Sequence, residues 1–181
     1  MKKTALLFFM VGFILLFSCR KDKGSNPTET LPPETQEGKN TFGCYVNGNL
    51  WLPKNGVICL GCPQKLTGGY YPSYKSLAIY TFKKNKDWQS ERINIIGNDI
   101  TSTGIYNLGY DPDSLNTSYE LLESDGSTST RYVLIDPSNS QLNITKLDTI
   151  NKIVSGKFSF TAIHGNSTIS ITNGVFDINY K

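Results

Sequence analysis

The chain predicts an all-β domain, an antiparallel β-sandwich or β-barrel of roughly ten short strands, and three observations carry that prediction. From Thr41 onward apolar residues alternate with polar ones at a period of two. Turn chemistry separates the alternating runs, as Asn-Gly, Gly-Asn, Asp-Pro, Ser-Asp-Gly and Asp-Pro-Ser. Glycine (16) and tyrosine (10) are plentiful and charged residues make up only 18%, which suits strands and turns better than long amphipathic helices. A single domain is expected from the length.

The first 18 residues read as an export signal: a basic Met1-Lys2-Lys3, then an apolar run from Leu6 to Phe17 that is shorter than the roughly 20 residues of a spanning helix. Leu16-Phe17-Ser18-Cys19 resembles the lipobox of bacterial lipoproteins, in which the cysteine is lipidated and becomes the new N-terminus. Each buried methylene contributes about 0.8 kcal/mol, and more than one acyl chain makes attachment stable. Residues 19–40 follow as a lipidated cysteine and disordered tether, with Leu31 the only large apolar side chain after the cysteine. Fully extended in polyproline form, the tether would reach ~65 Å.

Residues 41–181 form the expected domain. Phe42, Cys44 and Val46 precede Asn47-Gly48, a strong hairpin signal, and Leu50 to Leu52 return after it. Strand-like runs then fall at residues 76–82, 92–96, 104–108, 119–122, 131–135, 141–145, 157–162, 168–172 and 175–180. A short helix over 115–122 is an alternative at one position. Gly68-Gly69-Tyr70-Tyr71-Pro72-Ser73-Tyr74 reads as a loop.

Two stretches resemble a family of uncharacterised Bacteroidetes-type lipoproteins. They are Thr41-Phe42-Gly43-Cys44-Tyr45-Val46-Asn47-Gly48-Asn49-Leu50-Trp51-Leu52-Pro53 near the start, and Ile153 to Ala162 with Ile171 to Ile178 near the end. The resemblance implies a lipidated all-β domain on the cell envelope, most simply on the outer membrane, with turn glycines and inward aromatics. It implies no established activity.

Removing the leader takes Lys2 and Lys3 with it and lowers the formal charge from +3 to +1, which leaves no basic footprint for nucleic acid. The expected partners are the membrane, through the lipid anchor, and a glycan or envelope protein. His164 is the single histidine, so any histidine-dependent triad must use it, yet it sits in a turn and no nucleophile signature accompanies it. Asp111-Pro112-Asp113-Ser114 lacks the spacing and glycine of a calcium loop. Glu120 and Glu123 invite comparison with a glycosidase pair, although spacing along one segment does not give separation across a cleft. No cofactor or metal is expected.

Three cysteines remain after lipidation. Zinc could take Cys44, Cys59 and Cys62 with His164, but an exported site disfavours free thiolates. A thioredoxin-like pair needs a βαβ unit, which is not visible. If Asn47-Gly48 makes a two-residue hairpin, Cys44 faces Trp51, and a following meander places Cys59 about 9.5 Å from Cys44, beyond the ~7 Å bridging limit. Cys59-Leu60-Gly61-Cys62 fits a β-turn, so a Cys59–Cys62 disulfide is expected, with Cys44–Cys62 as the runner-up.

Tyr70, Tyr71 and Tyr74 each offer a flat apolar face and a hydroxyl, suited to stacking on a sugar or another protein, or to covering one end of the core. Asp113-Ser114-Leu115 and Asp148-Thr149-Ile150 resemble a short O-glycosylation motif of exported Bacteroidetes-type proteins, placing the modification at Ser114 and Thr149. Two functional classes stay open. One is a non-enzymatic binding or structural module for a glycan, small apolar ligand or protein; the other is an envelope hydrolase with a carboxylate site hidden from the sequence.

Overall fold

A computed structural model describes residues 29–55, 64–85, 89–109, 116–123 and 129–181. Cys19, Cys59, Cys62 and Ser114 lie outside these residues. The compact unit, Leu31–Lys181, is one curled antiparallel sheet that forms a half-barrel, within the all-β class the alternation predicts.

β1 (Thr41–Val46) and β2 (Asn49–Trp51) are joined by Asn47-Gly48, both with positive φ, the backbone a two-residue hairpin requires. Cys44 faces Trp51 across that hairpin. β3 (Leu66–Tyr71) leads through a 3₁₀ turn at Pro72–Tyr74 into β4 (Ser76–Lys84) and β5 (Ser90–Gly97). β6 (Gly104–Tyr106), β7 (Ser118–Leu122), β8 (Ser129–Val133) and β9 (Ser140–Asp148) follow. The chain ends in the long pair β10 (Ile153–His164) and β11 (Ser167–Asn179).

The strand order is β2-β1-β11-β10-β8-β7-β5-β4-β3, with β9 paired to β10 and β6 to β9. The curl brings the two ends of this order back together. Beyond β2, the Lys54 amide donates to the Phe82 carbonyl at 3.0 Å and the Lys84 amide to the Lys54 carbonyl at 2.8 Å, a parallel contact with β4. The inner face holds Leu77, Ile79, Ile93, Ile95, Leu142, Ile144 and Val154, all buried. An aromatic cluster belongs to the same core, with Phe42 5.1 Å from Phe158 and 6.0 Å from Trp51 between ring centres.

Three expectations change. Gly68 to Tyr71, read as loop, belongs to strand β3, because the glycines answer to packing and not to a turn. A Cβ on Gly68 would lie 2.0 Å from the Ala78 carbonyl oxygen, and one on Gly69 would lie 2.2 Å from the Tyr180 Cβ. The runs at 168–172 and 175–180 are one strand, β11, kinked at Asn173 with φ 51° and passing Gly174 under the Phe158 ring. The segment admitting a helix is strand β7 over Ser118–Leu122.

The expected tether also ends earlier than Asn40. Leu31–Asn40 packs on the half-barrel, clipped by the buried carboxylate of Asp177. Thr35 Oγ1 donates to Asp177 Oδ2 at 2.6 Å, and the amides of Glu37, Gly38 and Lys39 donate at 3.1, 2.8 and 3.1 Å. Ser155 Oγ adds a fifth bond at 2.7 Å. Composition pointed to disorder because the strap has little apolar surface; polar contacts order it instead, those to Asp177 together with Lys157 on Glu34 at 2.8 Å and Lys146 on the Gln36 carbonyl at 3.1 Å.

Candidate functional site

The edge strand β3 and the end of β11 bound an open cleft of about 470 Å³. Asn40, Gln64, Thr67, Tyr71, Asn179 and Lys181 supply most of its polar wall. The three tyrosines singled out in the sequence take three different places. Tyr70 is 6% exposed, its hydroxyl donating to the Ile100 carbonyl at 2.6 Å and its ring edge-on to Tyr180 at 6.2 Å, so it is part of the wall's foundation. Tyr71, the next residue along the strand, is 43% exposed and lines the cleft. Tyr74 lies in the 3₁₀ turn, 81% exposed and away from the lining. Strand alternation separates Tyr70 from Tyr71, and the turn carries Tyr74 off.

Burial pushes the hydroxyls of Tyr70 and Tyr180 up, so both stay protonated at neutral pH. The Tyr180 hydroxyl is buried with no hydrogen-bond partner among the described residues. Asn40, Gln64, Asn179 and Lys181 escape a sequence reading because no motif holds them. They meet only when the strap and the last residues of β11 come alongside β3.

Two buried carboxylates lie elsewhere, each fully engaged in holding the fold. Glu91 accepts from Trp51 Nε1 at 2.6 Å, Tyr119 Oη at 2.9 Å and Asn85 Nδ2 at 2.6 Å, with Lys83 Nζ at 3.4 Å. Burial pulls its pKa up, but the Asn85 amide, the Lys83 ammonium, Tyr119 and Trp51 together outweigh it and hold the carboxyl below its usual range. Burial likewise opposes ionisation of Asp177, and its hydrogen bonds, led by Thr35 and Ser155, win and bring the pKa down to about 2.

Cys44 is a free, fully buried cysteine beside this Glu91 cluster, and burial pushes its thiol up so that it stays protonated and unreactive. The expected Cys59–Cys62 bond and the lipidated Cys19 fall outside the described residues.

The carboxylates compared with a glycosidase pair are engaged separately. Glu120 Oε1 accepts from Asn94 Nδ2 at 3.1 Å and lies 3.3 Å from Arg131 Nε, while the exposed Glu123 accepts from Gln89 Nε2 at 3.3 Å. His164 ends β10, with Nδ1 3.1 Å from the Arg131 carbonyl oxygen and its ring 5.7 Å from Tyr132. Among the described residues no three His, Cys, Asp or Glu side chains come together as a metal site. Thr149 is exposed in the turn after β9, where Asp148 Oδ1 accepts from the amides of Ile150 and Asn151.

The fold and the cleft define a class: an all-β half-barrel with a polar cleft along its edge strand. A family model described as a domain of unknown function, DUF6252, matches residues 69–178, more than half of the chain. The chain belongs to that family. No curated protein and no solved structure matches it significantly.

Proposed function

We propose that this chain is a lipid-anchored cell-envelope protein, most simply of the outer membrane, whose half-barrel binds a glycan without turning it over. The observation that carries the binding reading is the cleft: one exposed tyrosine, Tyr71, in a lining shared with Gln64, Thr67, Asn40, whose Oδ1 accepts from the Asn179 amide, and Asn179, whose Nδ2 donates to the Asn151 carbonyl. An aromatic face stacks on the apolar face of a sugar ring while amides exchange hydrogen bonds with its hydroxyls. A small apolar ligand would find little to bury it in so open and polar a site.

The anchoring reading rests on the leader and on Ser18-Cys19. No helix among the described residues is long and apolar enough to cross a membrane. Thr149, on an exposed turn, is a further glycan-related position, as an acceptor of O-glycosylation. Intact mass of the native protein above that of the lipidated polypeptide would support it, and an equal mass would reject it.

Titration of the full-length protein in detergent against a panel of envelope oligosaccharides tests the binding reading. Tyr71→Ala should weaken binding about tenfold, the loss typical of one well-placed aromatic contact. Tyr70→Ala is a poorer probe, since it removes a buried hydrogen bond and a core contact. For the anchor, Cys19→Ser should move the protein from the membrane to the soluble fraction; continued membrane retention would count against lipidation at that residue.

A further inference from the structure

A second cleft, of about 380 Å³, lies on the other side of β3, and Gln64 and Thr67 line both. Its remaining wall includes Tyr80, Phe82, Arg92, Asn94 and Glu120. Strand register explains the continuity. Thr67 pairs with Tyr80, Tyr80 with Asn94 and Asn94 with Ser118, so one row runs from β3 to β7, about 14 Å across. Between Tyr71 and Tyr80 the paired residues are Gly69 and Ala78, with Tyr180 packed against Gly69, so the continuity of the two clefts runs through Gln64 and Thr67. Burial, and after it the charge of Tyr71, push the Tyr80 hydroxyl up.

Cations outnumber carboxylates on the two linings, where Lys181 and Arg92 stand against the single carboxylate of Glu120 among the described residues. From Thr41 to Asn85 the chain carries Lys54, Lys65, Lys75, Lys83 and Lys84 and no aspartate or glutamate. This stretch supplies β3 and β4; its lysines stand outside the two linings, and Lys83 pairs with Glu91 at 3.4 Å. Lys181 stands in the first cleft and Arg92 in the second.

Arg92 is partly exposed over an aromatic ring. Its guanidinium sits 6.0 Å from the Phe82 ring centre, and its side chain is 39% exposed. Glu120 Oε2 lies 4.0 Å from Arg92 Nη1, at the limit of ion-pair distance, while Glu120 Oε1 accepts from Asn94 at 3.1 Å and lies 3.3 Å from Arg131. A planar guanidinium lying over an aromatic ring, with donors left over, is suited to a carboxylate.

We propose that the two clefts form one track for a linear acidic glycan, with Tyr71 stacking on a sugar ring and Arg92 receiving a sugar carboxylate. This rests on the glycan reading of the Tyr71 cleft and adds to it the ligand's charge and length. Arg92 is the residue that selects.

The test uses the full-length protein in detergent on an array carrying neutral, uronate-containing and sialic-acid-containing oligosaccharides of increasing length. The bound set should be carboxylated, bind better as length grows, and weaken as sodium chloride screens the cations. Arg92→Gln should weaken carboxylated ligands by about tenfold or more, and Arg92→Lys should recover part of the loss. Glu120 keeps its Asn94 and Arg131 partners in both variants, and unchanged circular dichroism would verify the fold. Binding confined to neutral glycans, or an unchanged acidic-to-neutral ratio in Arg92→Gln, overturns the acidic track while leaving the Tyr71 reading standing. No glycan binding at all overturns both.

Discussion

Asp177 shows how much a single residue can decide. It is 1% exposed, carries a charge, and collects five hydrogen bonds that fasten the Leu31–Asn40 strap to β10 and β11. With its folded pKa near 2, below the usual carboxylate value, its stabilisation is complete above about pH 4 and is lost as the pH falls toward 2. The depression corresponds to about 2 kcal/mol. Asp177→Asn should therefore lower stability by about 2–3 kcal/mol at pH 7, since an amide cannot accept at both positions, and should flatten the acid limb of a urea-unfolding series. An unchanged midpoint would show that the strap is held by something else. At this scale the sequence is least legible: Asp177 reads as a polar residue in an alternating strand, and its four donors from the strap lie 138 to 142 positions earlier in the chain. The same holds for Glu91, whose donors from Trp51 and Tyr119 are 40 and 28 positions away.

Among the elements, strands with clean alternation were readable and the strand with two glycines was not. The Asn47-Gly48 hairpin and the core strands β4, β5 and β10 follow from a period of two and from turn residues, both local signals. β3 contradicts its own local signal, because Gly68 and Gly69 are required by the Ala78 carbonyl and by Tyr180, which only the folded sheet brings close. Gly69→Ala, at φ 155° and with no room for a methyl group, should cost about 2–4 kcal/mol and lower the melting temperature. An alanine variant as stable as the parent would refute the packing of β11 against β3. The strap gives a second test at this scale. A chain beginning at Leu31 should keep the melting temperature of one beginning at Cys19, whereas a chain beginning at Thr41 should melt several degrees lower. Equal melting of all three would return the domain boundary to the position composition suggests.

For the molecule as a whole, the sheet curls until Lys54 beyond β2 meets β4, and β3 is left as an edge facing the end of β11. That arrangement makes the cleft. It also separates the tyrosines: a sequence cluster of three becomes one buried foundation residue, one exposed residue on the cleft wall and one outlier. The tyrosine-rich stretch was visible in the sequence because aromatic residues beside glycines stand out. The amides opposite were invisible because they come from the strap and from the chain's last strand. The account's central claim is that this cleft binds a glycan through Tyr71, and calorimetric titration of the full-length protein and of Tyr71→Ala with an array-selected oligosaccharide tests it most directly. The account predicts saturable binding by the parent and about tenfold weaker binding by the variant. Equal affinity in the two proteins, or no glycan bound by the parent, would contradict it.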